Sequence, residues 1–210
     1  MAAHLRQVLD SLRSQWEQEG GVDSPAFHTS RAEALRTWCG DQRSRLLENH
    51  LRGASGRAVV AEWTLVADGL IREAYRQALL DAGEEDLPDY AVLAQGGYGR
   101  GYLNPRSDID LLFLHGRPGR GDPVTRFVLH LLWDLGFEVG HSARPLAQCL
   151  EEARKDPHSR TAMLEARYLA GDDRLFARFE KILEPILQGR RGLAFIHEKI
   201  EERRQRHQKT

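Results

Sequence analysis

From the first residues the apolar positions fall at helical spacing. Leu5, Val8, Leu9, Leu12 and Trp16 recur every three or four residues, with Arg6, Asp10, Arg13 and Glu17 on the other side. That spacing lays an apolar stripe along one face of a helix, and differs from the continuous apolar run of a signal peptide. Ser30 and Glu33 then stand at capping-box spacing ahead of Leu35, Trp38, Cys39, Leu46 and Leu47, which predicts a second helix opening at Ser30. After Gly53 and Gly56, the positions Val59, Val60, Trp63, Val66, Ala67, Leu70, Ile71, Ala74, Tyr75 and Leu79 repeat at helical period and predict the longest helix of this part.

The pattern then changes. Residues 91–94 form a short apolar run, and residues 109–114 one broken only by Asp110 and too short for a globular helix, so both read as strands, the second one buried. Asp122 before Pro123 predicts an N-cap with proline at the first helical position. The helix through Phe127, Leu131, Leu132 and Trp133 stops at Gly136. Residues 137–144 read as a third extended piece, closed by Pro145 because the residue before proline avoids the helical region. Four more helices follow over 146–155, 158–169, 173–187 and 192–208, punctuated by Pro157, Gly171 and Gly189. The final stretch, 197–209, is so charged that Ile196 and Ile200 are almost its only apolar anchors; it reads as a solvated helix or one whose packing partner lies outside the chain. The expected fold class is α+β, a small mixed sheet flanked by N-terminal and C-terminal helices. Three regions are expected: helices over 1–85, a core over 86–146 and a helical annex over 147–210.

Composition adds exclusions. Of the 210 residues, 41 % are apolar and 29 % charged, which fits a soluble globular chain. Thirty basic residues balance 31 acidic ones, so neither nucleic acid nor an anionic membrane is expected as a partner through bulk charge. No segment approaches the roughly 20 apolar residues that span a bilayer. Cys39 and Cys149 make no CxxC or zinc-ribbon spacing, and a reducing cytoplasm is the simplest reading. The nine histidines are scattered, with none at ligand spacing to another His or Cys. The four tryptophans sit on helical apolar faces and are expected in the core.

The chemistry lies between Gln95 and Asp110. Gly96, Gly97, Gly99 and Gly101 allow close backbone approach and positive φ, and with Arg100 and Arg106 nearby they suit a polyphosphate. The alternation of Gly97, Gly99 and Gly101 superficially fits a dinucleotide loop. That motif needs a long helix directly after the glycines, however, and here Pro105 and a strand arrive within ten residues; a Walker lysine is missing too. Asp108 and Asp110 are two apart at the opening of a strand, so both carboxylates project from one face. Two such charges roughly 5 Å apart repel by about 3 kcal/mol at an effective dielectric near 20. A cation between them removes that cost, and beside a phosphate loop magnesium is the natural one, since it takes carboxylate and phosphate oxygens together. An isolated Asp-x-Asp is ordinarily a solvated loop or cap, and an isolated glycine cluster a turn. Their combination ahead of a buried strand implies metal-assisted attack on a nucleotide phosphate.

These residues resemble the DNA polymerase β-type nucleotidyltransferase superfamily. More closely, GGYGRGxLxPxSDIDLL, LWDLGFEVGHSAR and TAMLEARYLAGD, with the closing ERRQRHQK, are similar to the PII uridylyltransferase/uridylyl-removing family. The resemblance implies transfer of UMP from UTP to a tyrosine hydroxyl of the PII signalling protein, with pyrophosphate released and two magnesium ions engaged. Carried over, Gly96 and Gly97 hold the triphosphate and Asp108 and Asp110 bind magnesium, with Arg100 and Ser107 as further phosphate contacts. Tyr98, beside glycines, is expected to pack rather than stack on a base.

The superfamily leads one to expect a third carboxylate on a neighbouring strand. On the piece over 137–144, Glu138, Gly140, Ser142 and Arg144 share a face by alternation. Glu138 is its only acid, either a metal ligand or base, or an edge-strand glutamate in water. Arg144 is a candidate triphosphate contact, and His141, on the other face, is expected to be a core histidine. The basic loop over 116–121 fits either a nucleotide or partner contact or a plain turn. Glu165 and Arg167, as helix residues, are expected to brace the annex. The family enzymes continue into a hydrolase domain and two sensing domains after the stretch matching residues 207–210, so neither UMP removal nor glutamine sensing is expected of this chain. A nucleotidyltransferase with another acceptor, and a catalytically weak fragment that binds nucleotide or PII, both stay open as alternatives.

Overall fold

In the computed structural model the described residues are 2–18, 21–22, 24–117, 119, 121–186 and 188–208. The chain opens with α1 (Ala2–Gln18), α2 (Pro25–Leu51) and α3 (Gly56–Ala82). α2 begins earlier than the Ser30 spacing suggests. Ser24 Oγ accepts a hydrogen bond from the Phe27 amide at 3.1 Å and Pro25 supplies the preset first turn, so this cap takes precedence and Ser30 lies inside the helix. α3 is capped by Ser55, whose Oγ accepts from the Ala58 amide, and it ends on Gly83 in the left-handed conformation.

The sheet contains β1 (Tyr90–Ala94), β2 (Ile109–His115), β3 (Val139–Pro145) and β4 (Arg167–Gly171), in the order β3-β2-β1-β4. β1 runs antiparallel to both β2 and β4, while β2 and β3 are parallel, joined through α5 (Asp122–Asp134). The fold is α+β. One sheet face, with Val92, Leu111 and Phe113, packs into a core shared with α1, α2, α3 and α5. The other, with Ala91, Leu93, Leu112 and Leu114, is covered by α6 (Leu146–Lys155), α7 (Pro157–Leu164) and α8 (Asp173–Leu183). A 3-10 turn (Glu184–Ile186) and α9 (Gly189–Gln208) follow.

Several sequence expectations are corrected. The helix expected over 158–169 ends at Leu164, and Arg167–Gly171 forms edge strand β4. Its apolar residues match either period, and pairing with β1, distant in sequence, decides between them. Gly171 lies so close to β1 that a Cβ there would stand 2.3 Å from the Tyr90 carbonyl oxygen. Gly121, at φ +92° and packed on the Tyr90 ring, is the N-cap of α5; Asp122 is therefore the first helical residue and makes no side-chain capping bond. Trp133 is 46 % exposed rather than in the core, and His141, also exposed, meets its ring edge-on with centroids 5.9 Å apart. In α9, Ile196 and Ile200 are exposed, while Lys209 lies outside the described residues.

Between β1 and β2 the glycine-rich segment forms a single helical turn, α4 (Gly96–Gly99), which the sequence reading leaves as loop. It sits tightly on the stretch leading into β4: a Cβ on Gly99 would fall 2.2 Å from the Glu165 carbonyl oxygen. Gly99→Ala should therefore destabilise the protein by about 1–3 kcal/mol. Urea unfolding should show a lower midpoint with an unchanged slope; an unaltered midpoint would contradict this packing.

Candidate active site

The site is built where β1 ends and β2 begins. The Gln95 amide donates to the Asp110 carbonyl at 2.9 Å, so the chain leaves β1 directly beside Asp110 and turns into α4. Gly96 makes that turn at φ +56°, and a Cβ on it would lie 3.0 Å from Asp110 Oδ2. On the other side, the parallel register sets Asp110 opposite Gly140, where a Cβ would stand only 2.4 Å from Asp110 Oδ1. The Asp110 carboxylate is thus seated between two glycines on two different elements. Burial, and then the negative charge of Asp108, push its carboxyl above the usual aspartate range.

A cleft of about 470 Å³ opens here, lined by Gly97, Tyr102, Arg106, Ser107, Asp108 and Asp110 among others. The structure thus brings Gly96, Gly97, Ser107, Asp108 and Asp110 to one place. The first amides of α4 have no acceptor within so short a turn, which leaves them available to a ligand. Tyr102 is 53 % exposed at the lip. Tyr98 packs inward, as expected. Its ring lies under the Arg167 guanidinium at 5.4 Å, and its buried hydroxyl has no hydrogen-bond partner of good geometry. Burial, and next the Asp68 charge, push that hydroxyl well above the usual tyrosine range.

The remaining candidates are placed less centrally. Arg100 caps the end of α4, is exposed, and is ion-paired with Glu165. Glu138 stands just before β3, exposed, its carbonyl accepting the Ile109 amide at 2.8 Å. Extending the parallel register by one residue puts it opposite Asp108. Arg144 is paired with Leu114, four residues beyond Asp110, which is about 13 Å along the strand. It faces Glu152 of α6 at 3.7 Å, and its buried Nη1 makes no hydrogen bond. The structure does not bring it to the aspartates.

Glu165 and Arg167 are not helix residues bracing the annex. Glu165 caps α7, and Arg167 lies on β4 and reaches the glycine-rich turn. In the loop over 116–121, Arg117 stands 3.8 Å from Asp89, while Pro118 and Arg120 lie outside the described residues. Sequence reading missed four contributing residues. Gly140 was read only as a face-sharing residue, because its role depends on strand pairing. Thr64, Asp68 and Arg72 were overlooked, although their four-residue spacing along the helix is visible in the sequence.

Over 97 % of its length the chain is 34 % identical to the bifunctional uridylyltransferase/uridylyl-removing enzyme of Rhodopseudomonas palustris. Over 99 % it is 37 % identical to the enzyme of the same name from Bradyrhizobium sp. strain ORS 278. The chain is homologous to part of the bifunctional uridylyltransferase/uridylyl-removing enzymes. It spans about a fifth of the length of those relatives, 22 % and 23 %. No protein-family model matches the chain. Among solved structures, a toxin–antitoxin complex with AMP-PNP aligns with 62 % of this chain and 95 % of that one, at 16 % identity and a TM-score of 0.36, too slight a likeness to bear on fold or function. The segments of this uridylyltransferase relative that form the cleft, the glycine-rich turn and the Asp-x-Asp strand, are the ones its sequence marks out.

Two outcomes test the seat of Asp110. At neutral pH its charged form is disfavoured in the folded protein, so Asp110→Asn should raise the Tm. That advantage should vanish as the pH falls through the raised carboxyl pKa, where aspartic acid and asparagine are both neutral. A lower Tm for the variant at pH 7 would contradict the electrostatic picture. Gly140→Ala should keep the circular dichroism spectrum of the fold but lower the Tm, because its Cβ would stand 2.4 Å from Asp110 Oδ1; an unchanged Tm would contradict the seat.

Proposed function

We propose that this chain carries the nucleotidyl-transfer chemistry of its relatives, moving UMP from UTP to a tyrosine hydroxyl of the PII signalling protein and releasing pyrophosphate. The observation that carries the reading is the Asp108–Asp110 pair at the mouth of a cleft whose wall is the glycine-rich turn, in a chain homologous to uridylyltransferases. In this reading residues 86–146 form the catalytic core between two helical regions. The two cysteines are free and buried, with thiols pushed up to about 11 by burial, which suits a reducing cytoplasm. Among the described residues no helix is long and apolar enough to cross a membrane.

The donor set fits magnesium. That ion is held by one or two carboxylates and completes its octahedron with phosphate and water oxygens. Asp108 and Asp110 supply the carboxylates; burial first, and then the Asp108 charge, raise the Asp110 carboxyl, and a cation between the two would relieve both costs. Among the described residues no group of three His, Cys, Asp or Glu side chains could enclose a metal without substrate oxygens. Two magnesium ions, when bound, would neutralise the leaving pyrophosphate and orient the attacking oxygen.

The chain's own residues do the rest. Amides of Gly96 and Gly97 receive the triphosphate oxygens, and the absence of side chains there lets the phosphates approach the backbone. Ser107 donates its hydroxyl to a phosphate oxygen. Arg106 and, once turned from Glu165, Arg100 add positive charge at the rim. The tyrosine oxygen forms its bond to the α-phosphorus as the bond from that phosphorus to the bridging oxygen breaks. The hydroxyl proton passes to Glu138, which extension of the β2–β3 register by one residue puts opposite Asp108.

The test is incubation of the chain with PII, magnesium and labelled UTP, with labelled ATP in parallel. UMP-labelled PII is expected, falling about a thousandfold or more in Asp108→Asn and Asp110→Asn, the scale of several kcal/mol of lost charge stabilisation. Equal labelling from ATP would overturn the uridylyl assignment, and full activity in either variant would overturn the catalytic one. Magnesium-dependent UTP binding without transfer would reduce the chain to a nucleotide-binding module.

A further inference from the structure

The glycine-rich turn is held from behind, by groups that do not line the cleft. Thr64, Asp68 and Arg72 project from α3 at successive four-residue steps and so share one face. Thr64 Oγ1 accepts the Leu103 amide at 3.0 Å and lies 2.8 and 3.1 Å from the Val60 and Gly101 carbonyls, which anchors the exit of the turn. Asp68 is 4 % exposed. It accepts a two-pronged contact from Arg167 Nη1 and Nη2 at 2.7 and 2.9 Å, and a further bond from Arg72 Nη2 at 3.2 Å. Hydrogen bonding to Asp68 raises the Arg167 guanidinium above its ordinary range and keeps it charged.

Arg167 directs its other contacts at the turn itself. Nε donates to the Gly99 carbonyl and Nη2 to that of Tyr98, both at 3.3 Å, while the guanidinium plane rests on the Tyr98 ring. Arg72 Nε donates to the Leu169 carbonyl at 3.0 Å, which fixes the strand from which Arg167 projects. One cation therefore bonds at once to the carboxylate of the long helix and to the two carbonyls that end the turn. Arginine's planar fork can do this and a lysine's single ammonium cannot. A buried ion pair is a weak source of stability, since apolar replacement is often neutral or better. The fan of bonds onto the loop backbone is what distinguishes this pair from a brace.

We propose that Asp68 and Arg167 are a positioning pair for the triphosphate loop. Asp68 orients the guanidinium, the guanidinium fixes the carbonyl end of α4, and this sets the Gly96 and Gly97 amides at its open end. The inference rests on the reading of that turn as the triphosphate site.

The experiment is calorimetric titration of the full chain, its Asp68→Asn and Arg167→Lys variants and the double variant, with magnesium–UTP and with inorganic triphosphate. Unfolding is followed in parallel by circular dichroism. Both single variants are expected to fold and to bind magnesium–UTP about tenfold more weakly, with the same factor for inorganic triphosphate, which has neither base nor sugar. The double variant is expected to be no worse than the weaker single one, since the residues act as one unit. A lowered Tm with unchanged Kd would overturn the proposal, because a mere brace affects only the folded fraction. Loss of fold in both single variants would overturn it for the same reason, and so would weakening confined to UTP. If the wild-type chain itself binds neither ligand, the reading of the site fails and the positioning role with it; that outcome is seen in wild type alone.

Discussion

The central pair of strands must be covered on both faces, and most of the architecture follows from that. β1 is buried at all five positions, and β2 is buried from Ile109 to Leu114 at every position but Asp110. Strands apolar on both sides cannot face water, so helices pack above and below, α3 and α5 on one face and α6 to α8 on the other. Asp110 is the single break in that run. It falls where β1 ends and the chain turns away, so the one polar position in the centre of the sheet opens into the cleft.

Around that position, space is made by glycine from two directions. Gly96 contributes a left-handed turn and Gly140 a strand position without a side chain, and the Asp110 carboxylate occupies what both leave. Burial of the carboxylate, and then the charge of Asp108 nearby, make the arrangement electrostatically uphill and raise the Asp110 carboxyl. A fold selected for stability alone would not place two carboxylates together; a site that binds a cation gains from doing so.

Behind the cleft the polar stripe of α3 shows how a mobile kind of sequence becomes a fixed surface. Four glycines in six residues carry high backbone entropy. The Leu103 amide's hydrogen bond to Thr64, the bond from Arg167 to the Gly99 carbonyl, the packing of Tyr98 beneath a guanidinium, and the contact of Gly99 with the Glu165 carbonyl remove it. Most of these partners come from α3 and from the approach to β4, far from the turn in sequence.

The local sequence by itself determined the helices α1, α3 and α5, strands β1 and β2, and the Asp-x-Asp and glycine-rich elements of the site, because periodicity, capping and conformational freedom act within a few residues. It misplaced the start of α2, since two cap signals compete within one segment and only the packed helix chooses Ser24. It turned β4 into helix because Arg167, Tyr168 and Leu169 satisfy either period, and only the hydrogen bonds to β1 decide. It put Trp133 and His141 in the core because an apolar face does not state what covers it. Which glycine faces Asp110, how far Arg144 lies from it, and that Arg167 grips the turn were decided by tertiary structure alone, for each depends on the register and crossing of segments that meet only when the sheet closes.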